Sequence, residues 1–182
     1  MLRRARVRID YLVPDSNNKW AKALFAFQLD ATERGVNVRD MFVRLYENKH
    51  HLFSLTAGLF ARPFGYEINL SSSFRETPER GRMSQILMPT ERDLGAMISF
   101  EPQDRKHAWG FLKVDAGIFN GQGLSGTTDF DNHKDFISKI TVKPVSNGRW
   151  DVGGGVSALL GGWRQGSKYI YRVEEAPSGA YR

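Results

Sequence analysis

The chain has 182 residues, enough for one domain with a buried core, and it contains no cysteine, which excludes disulfide bridges and thiolate metal sites. Lysine and arginine outnumber aspartate and glutamate by 26 to 20, and the net charge of +6 is compatible with an anionic partner. The basic N-terminus is not expected to act as a secretory signal because it lacks an apolar run, and no stretch resembles a membrane helix of about eighteen apolar residues. Mean hydropathy, −0.44, does not exclude a membrane barrel, in which apolar residues alternate with polar ones.

Most of the chain alternates apolar with polar residues in runs separated by turn-forming residues, which is the pattern of antiparallel strands. In the first run, Val7 and Ile9 would lie on one face of a strand, and Arg6 and Arg8 on the other. The pattern predicts eight or nine strands, the ninth at 169–172. The first eight are expected at 5–12, 19–31, 38–46, 51–60, 93–100, 108–119, 136–144 and 150–160.

The connections between these strands fall into two groups. Since alternate connections of an up-and-down sheet lie at opposite ends, the sequence predicts one end with tight turns only. Short turns at one end and long loops at the other are typical of an outer-membrane barrel. Tight turns are expected at 14–18, 47–50, 102–107 and 145–149, an intermediate connection at 32–37, and long loops at 61–91 and 120–135.

The apolar faces have a composition that favours a membrane. Small residues such as Ala57 and Ala96 are mixed with bulky ones, which fluid lipid tolerates better than a close-packed core does. We therefore expect an all-β, antiparallel, up-and-down transmembrane β-barrel. The alternative is a soluble or periplasmic β-barrel module that binds a ligand in its interior. Aromatic residues collect near strand ends, as at a membrane interface, at Tyr11, Trp20, Phe100, Trp109 and Trp150.

Several motifs carry a family resemblance: GLFARPFGYE at 58–67, LSSS at 70–73, ERDLG at 91–95, VDAGIFNG at 114–121 and DF at 135–136. With them, most of the chain resembles the phosphate-selective porin O and P family of Gram-negative outer membranes. The resemblance implies an anion-conducting barrel in the bacterial outer membrane, surrounded by lipid, with an inward-folded loop and a homotrimeric assembly. Since barrels of that family are much longer, this chain would correspond to a segment of one.

Basic side chains on the polar faces and in the loops are the candidates for an anion pathway. The guanidinium fork binds oxyanions through two bonds, and a series of weak sites lets the ion leave. Carboxylates such as Asp30 and Asp40 share these faces, so an ordinary solvated polar face remains the competing interpretation. Pro63, Phe64 and Gly65 are expected to shape the 61–91 loop. The candidate anion-pathway residues are Arg6, Arg8, Lys22, Arg44, Arg62, Arg75, Arg80, Arg82, Arg92, Lys113, Lys139 and Lys143.

Two local motifs occur within the loops. Thr77 to Arg80 resembles a helix start, so a short helix is expected at 78–88, either as a constriction element in the barrel mouth or as a surface helix. The sequence GQGLSG at 121–126 has the spacing of a dinucleotide-binding loop. It lacks the amphipathic helix and the later acidic residue that such a site needs, so no nucleotide is expected.

Catalytic, cofactor and nucleic-acid sites are not expected. The histidines lie in turns or loops without a metalloprotease or nucleophile motif. Glu76 and Glu79 lie among arginines, so they are expected to form ion pairs instead of an acid–base couple. Most aromatic residues lie opposite the basic faces, which argues against base stacking. Asp129, Asp131, His133 and Asp135 alternate as cation ligands do, but without the glycine and glutamate of a calcium loop, an incidental cation is the weaker interpretation.

Overall fold

A computed structural model describes residues 4–15, 21–32, 35–70, 79–88, 90–104, 106–121, 123, 133–146 and 148–161. Within these ranges the chain is all-β, and eight antiparallel strands form one sheet in which each strand pairs with the next. The ninth strand expected at 169–172 lies outside the described residues. The strands are β1 Arg4–Pro14, β2 Ala21–Thr32, β3 Gly35–Tyr46, β4 Phe53–Ala61, β5 Arg92–Phe100, β6 Leu112–Phe119, β7 Asp135–Ser146 and β8 Asp151–Leu160.

The connections place the two long loops, 62–91 and 120–134, at one end of the sheet, as predicted. We call this the long-loop end and the opposite one the short-turn end. The expectation of an intermediate connection at 32–37 is wrong, because β2 continues to Thr32 and β3 begins at Gly35. Gly35 has a φ of +125°, a conformation that glycine adopts without strain, and this allows the chain to reverse at once.

The connection between β5 and β6 is longer than predicted. The strand expected at 108–119 begins only at Leu112, because the preceding residues form successive turns instead of pairing with the sheet. In these turns Gly110 N–H donates to the His107 carbonyl at 2.8 Å, and Leu112 N–H donates to the Trp109 carbonyl at 2.9 Å. Trp109 therefore lies in a turn at the short-turn end.

The cross-strand register gives the sheet two faces of opposite character. The apolar face includes neighbours such as Ile9 beside Phe27, whereas the polar face includes pairs such as Arg6 opposite Asp30. The apolar face is largely exposed, whereas the polar face is largely buried. Ile9 on the apolar face is 60% exposed, but Asp93 on the polar face is only 1% exposed. A soluble barrel has the reverse arrangement, with apolar residues filling its interior.

The polar face is covered by the first part of the 62–91 loop, residues 62–70, which we call the strap. Gly65 in the strap donates its N–H to Ser157 Oγ on β8 at 3.0 Å, and its carbonyl accepts from Lys139 Nζ on β7 at 2.6 Å. The strap leaves β4 at Ala61, so it passes over β5 and β6 to reach these partners. It lies across the face of the sheet instead of extending beyond its edge.

This contact requires strong curvature of the sheet. Ser54, Ser99, Asp115, Lys139 and Ser157 are successive cross-strand partners and form one row. In a flat sheet, about 23 Å along β4 and about 19 Å across four strand spacings would separate Ala61 from Ser157 by about 30 Å. Four residues reach only about 14 Å, and a side chain with its hydrogen bond adds about 5 Å. The sheet therefore curves with its polar face on the inside.

An apolar cluster fixes the strap to the middle of the polar face. Each strand from β3 to β8 contributes one residue, and the loop contributes Phe64, Ile68 and Met88. The Phe60 ring of β4 and the Phe119 ring of β6 meet edge to face above β5, with centroids 5.3 Å apart. The strand residues of the cluster are Phe42, Phe60, Met97, Phe119, Ile137 and Leu159.

The helix expected at 78–88 is present in a shorter form, α1, at Arg82–Leu87. Gly81 precedes α1 and donates its N–H to Glu67 Oε2 at 2.8 Å, which links α1 to a short 3-10 helix at Glu67–Asn69 within the strap. Met88 follows α1 and is completely buried in the apolar cluster. The described part of the chain contains no helix with the length and apolar character needed to cross a membrane.

Candidate functional site

The polar face has three levels: ion pairs at the long-loop end, the apolar cluster in the middle, and lysines around Glu101 at the short-turn end. The level at the long-loop end is a network of ion pairs centred on Glu91. Glu91 Oε2 lies 2.8 Å from Arg39 Nη2 and 2.7 Å from Arg92 Nη1, and Glu91 Oε1 lies 3.2 Å from Arg80 Nη2. One carboxylate thus contacts guanidinium groups from β3, from β5 and from the loop before α1. The network connects the loop to the wall of the sheet.

Two aspartates extend this network to the first strands. Asp30 on β2 contacts Arg6 Nε at 2.6 Å and Arg39 Nη1 at 2.9 Å. Asp40 on β3 contacts Arg92 Nε at 2.5 Å and Arg8 Nη1 at 3.7 Å. The predicted residues Arg6, Arg8, Arg80 and Arg92 are therefore brought together, but every one of them has a carboxylate partner.

Arg39 belongs to this network although sequence reasoning did not select it. Strict alternation would place Arg39 on the same face as Met41, the apolar one. The register between β2 and β3 shifts between Gln28 and Leu29, because Gln28 pairs with Asp40 and Leu29 with Val38. Arg39 is the extra residue of this bulge, and its side chain reaches Asp30 and Glu91 on the polar side. The sequence pattern also does not indicate that Asp30 and Glu91 lie beside Arg39.

Arg62 lies in a buried ion pair at the root of the loop and not in the open space above the sheet. The side chains of Arg62 and Asp93 are 3% and 2% exposed, and Nη1 lies 3.9 Å from Oδ2. Arg62 Nη2 also donates to the carbonyl and the hydroxyl of Thr90. Burial lowers the pKa of Arg62, while Asp93 and Asp135 act in the opposite direction.

Asp93 also connects the two long loops. Its Oδ2 accepts the Gly121 N–H at 2.6 Å, and its Oδ1 accepts the Leu94 N–H at 2.8 Å. The first residues of the 120–134 loop are therefore fixed to the start of β5. Arg62 and Asp93 together hold the roots of both loops, which assigns Arg62 a structural contact within the candidate site.

The level at the short-turn end has lysines around one glutamate. Glu101 Oε1 lies 2.8 Å from Lys143 Nζ, and Glu101 Oε2 lies 2.9 Å from Lys113 Nζ. Burial alone would raise the pKa of Glu101, but the two ammonium groups outweigh it, so the pKa lies below its ordinary value. A cavity of about 400 Å³ adjoins this group and is lined by Arg44, Tyr46, Ser54, Glu101, Pro102, Gln103 and Lys143.

Two predicted cations on the polar face have neutral partners. Arg44 Nε donates to Thr56 Oγ1 at 2.9 Å, and its guanidinium carbon lies 5.8 Å from the centre of the Phe42 ring. Lys139 donates to the Gly65 carbonyl at 2.6 Å. Among the described residues, neither cation has a carboxylate within ion-pair distance. They lie in the middle of the polar face and towards the short-turn end, away from the Glu91 network.

The three residues expected to shape the loop lie in the strap. Pro63 is buried, and Phe64 packs against the apolar cluster. The Phe64 N–H donates to the Arg62 carbonyl at 2.9 Å, which closes a tight turn. Gly65 has a φ of +61°, in the left-handed region, and its peptide groups contact β7 and β8.

The remaining predicted cations lie outside these groups. Lys22 is exposed near the start of β2 and lies 3.5 Å from Asp15 Oδ1. Arg82 is exposed at the first position of α1. Arg75 lies outside the described residues. The structure therefore places most of the predicted cations at the polar face, but in separate levels and not in one continuous row.

Metal ligation was considered for the second long loop. Within the described ranges, no group of three or more histidine, aspartate or glutamate side chains is arranged to hold a metal ion. Asp129 and Asp131 lie outside the described residues, as do Gln122 and the 124–126 part of the glycine motif. The cation hypothesis for the loop tip therefore stays a prediction.

Chemically, the polar face combines fixed ion pairs with an excess of cations towards the short-turn end. There Arg44, Lys113, Lys139 and Lys143 share the polar face with Glu101, Asp115 and Asp151. Asp115 Oδ2 lies 3.9 Å from Lys113 Nζ. Such an excess attracts small anions without providing one tight site. Comparison of the chain with family models, with curated proteins and with solved structures found no match.

Proposed function

We propose that this chain forms part of the wall of a bacterial outer-membrane β-barrel that lets small anions diffuse passively through a basic lumen. The observation that carries the proposal is the inverted burial of the curved sheet, whose apolar face is exposed and whose polar face is inside. Apolar surface left in water costs about 25 cal/mol per Å², and large exposed patches mark contacts with membranes or proteins. Lipid around the apolar face removes this cost.

Aromatic side chains support the same orientation. At the short-turn end of the apolar face, Tyr11 lies beside Phe25 with ring centroids 6.4 Å apart, and Phe53 lies beside Phe100 at 5.3 Å. Trp109 stacks on Phe111 at the same end. A belt of aromatic rings at one rim is typical of the boundary between lipid and water.

The strap supports a barrel of more than eight strands. An eight-stranded barrel has an interior just wide enough to be filled by side chains. Here the strap and α1 lie against the polar face and would occupy that volume. We therefore propose that further strands complete the barrel between β1 and β8, and that the strap narrows its lumen. The homotrimer remains a proposal that rests on the family resemblance.

The anion preference rests on the balance of charge along the polar face. At the long-loop end, carboxylates neutralise most arginines, so this level contributes mainly structure. Beyond the strap, Arg44 and Lys139 have neutral partners, and Lys113 and Lys143 share Glu101. A group of weakly compensated cations favours anions while allowing them to leave, which suits passive diffusion.

The experiment is a measurement of reversal potential in planar bilayers with a salt gradient. The native protein is expected to select anions, and the variants Arg44→Glu and Lys143→Glu are expected to shift the reversal potential towards cations. Lys49→Glu, at an exposed turn beyond the strands, is the matched control and is expected to leave selectivity unchanged. A native channel that selects cations would contradict the anion proposal. Refolding as a monodisperse species without detergent would contradict the membrane proposal and favour a soluble ligand-binding barrel.

A further inference from the structure

Lys139 lies where it has two possible partners. It is the cross-strand neighbour of Asp115 on β6 and of Ser157 on β8. Its ammonium group donates to the Gly65 carbonyl at 2.6 Å, and it is not within ion-pair distance of Asp115 among the described residues. Lys139 therefore donates to the Gly65 carbonyl of the strap instead of to the carboxylate of the neighbouring Asp115.

Asp115 shows the consequence of this choice. The residue is 5% exposed, and its Oδ1 has no hydrogen-bond partner among the described residues. Its Oδ2 lies 3.9 Å from Lys113 Nζ, at the limit of an ion pair. A buried carboxylate oxygen without a partner is unfavourable, so Asp115 offers Lys139 a strong alternative contact.

The backbone N–H and the backbone carbonyl of Gly65 are both held by hydrogen bonds. Its N–H donates to Ser157 Oγ at 3.0 Å while its carbonyl accepts from Lys139. A cavity of about 540 Å³ lies beside this contact and is bordered by Gly65, Tyr66, Lys139, Thr141 and Ser157, among others. We call residues 65 and 66 the tip of the strap. Tyr66 is 63% exposed, so the tip has room to move away from β7 and β8.

We propose that Lys139 and Ser157 form a latch that positions the tip of the strap, and that Asp115 is the partner Lys139 takes when the tip is released. The proposal rests on the function proposed above, in which the strap narrows the lumen. With the latch closed, Gly65 lies across the face and the passage is narrow. With the latch open, Lys139 pairs with Asp115 and the passage widens. Lys139 is thus a positioning residue for the constriction.

The latch is tested by two readouts in the full chain. Phe64→Cys introduces a single cysteine next to Gly65, since the chain has none of its own, at a position that packs against the apolar cluster while the latch is closed, so its rate of maleimide labelling in detergent reports release of the tip. Single-channel conductance in planar bilayers reports the width of the passage. Asp104→Cys, at an exposed turn of the short-turn end, serves as the labelling control.

The variants act in opposite directions. Ser157→Ala removes one hydrogen bond of the closed latch and is expected to raise the labelling rate about 2- to 10-fold, the factor that one hydrogen bond commonly contributes to an equilibrium. Conductance is expected to rise with it. Asp115→Asn removes the charged alternative partner and is expected to lower both quantities. Lys139→Met is expected to act like Ser157→Ala, and Lys139→Arg to restore the native behaviour.

The outcomes separate the latch from a simple charge effect. If Lys139 acts only as a lumen charge, Ser157→Ala leaves both readouts unchanged and Lys139→Met shifts only the reversal potential, which overturns the proposal. Equal labelling rates for native, Ser157→Ala and Asp115→Asn chains also overturn it. If labelling responds as expected but no channel forms, the latch stands and the proposed function fails.

Discussion

The ring of Phe119 on β6 lies directly over Gly95 on β5. A Cβ atom at Gly95 would approach Phe119 Cδ1 to 2.6 Å and would also collide with the Ile118 carbonyl oxygen. Gly95 is the cross-strand partner of Phe119, and on its other side it pairs with Gly58. Because these two glycines have no side chains, they leave space in which aromatic rings of the apolar cluster pack. An aromatic ring that covers a glycine of the adjacent strand is a known stabilising arrangement in β-sheets.

We expect Gly95→Ala to lower the free energy of unfolding by about 1–3 kcal/mol, the range for overpacking a filled site. The physical cause is that the Phe119 ring must move and disturb the cluster beneath the strap. Urea unfolding of the protein folded into phospholipid measures the effect.

The matched control is Gly154→Ala on β8, where an added Cβ meets nothing within 4 Å. This variant is expected to be neutral or to stabilise by less than about 1 kcal/mol, because it restricts the unfolded chain. Equal losses for the two variants would show that the cluster packing around Gly95 is not as described.

The buried pair of Arg62 and Asp93 gives a second expectation. Asp93→Asn leaves the Arg62 guanidinium buried without its counter-charge, and removing one partner of such a pair commonly costs about 3–5 kcal/mol. The double variant Arg62→Met/Asp93→Asn is expected to recover part of this loss, because no isolated charge remains. Unfolding in urea is the measurement.

Arg8→Met is the control for this pair. Arg8 Nε lies 2.8 Å from Asp10 Oδ2, but both side chains are more than 40% exposed, at 43% and 44%. Its second contact, with Asp40 at 3.7 Å, is longer, and without Arg8 the Asp40 carboxylate keeps its ion pair with Arg92. Exposed pairs contribute at most about 1 kcal/mol. A loss for Arg8→Met as large as that for Asp93→Asn would contradict the assignment of Arg62 and Asp93 as the root of the loops.

Alternation with a period of two was enough to predict the eight described strands and the face of most residues within them, because the pleat imposes that period. Phe42, Met97 and Phe119 have the same parity along their strands as the polar residues, and the register places them on the polar face. Alternation does not indicate an apolar cluster on that face, because the covering residues Ile68 and Met88 come from the distant loop.

The candidate site was less predictable for the same reason. The bulge that brings Arg39 to the polar side depends on the pairing of two strands and leaves no mark in the alternation of β3 itself. The contacts of Gly65 with Lys139 and Ser157 join residues far apart in sequence. Basic residues were identifiable by type, but their carboxylate partners, which decide their charge balance, depend on the fold.

The apolar face provides a third expectation, which separates lipid from water. Ile98 on β5 is 53% exposed, so in a water-soluble protein Ile98→Arg would change stability by less than about 0.5 kcal/mol. Facing lipid two residues from the end of β5, between the midplane of the bilayer and its interface, the same arginine is expected to cost about 1–3 kcal/mol. Unfolding from phospholipid vesicles distinguishes the two results.

Ile86→Arg on α1 is the control, since Ile86 is 66% exposed but belongs to the loop. It is expected to leave the free energy of unfolding unchanged within about 0.5 kcal/mol. A neutral result for Ile98→Arg would remove the main support for a membrane location.

Glu101 gives the last expectation, a dependence of stability on pH. Lys113 and Lys143 hold the pKa of Glu101 below its ordinary value despite the burial that would raise it. The ionised carboxylate therefore stabilises the folded state above the ordinary glutamate pKa of about 4.3, and this contribution is lost as the pH falls through the lower, folded value.

Glu101→Gln is expected to be less stable than the native chain at neutral pH, with the difference shrinking in acid. Lys143→Met, which removes one of the two ammonium groups, is expected to give an intermediate difference. Urea midpoints between about pH 7 and pH 3 measure all three proteins, and a difference between native and Glu101→Gln that stays constant over this range would contradict the ion-paired Glu101.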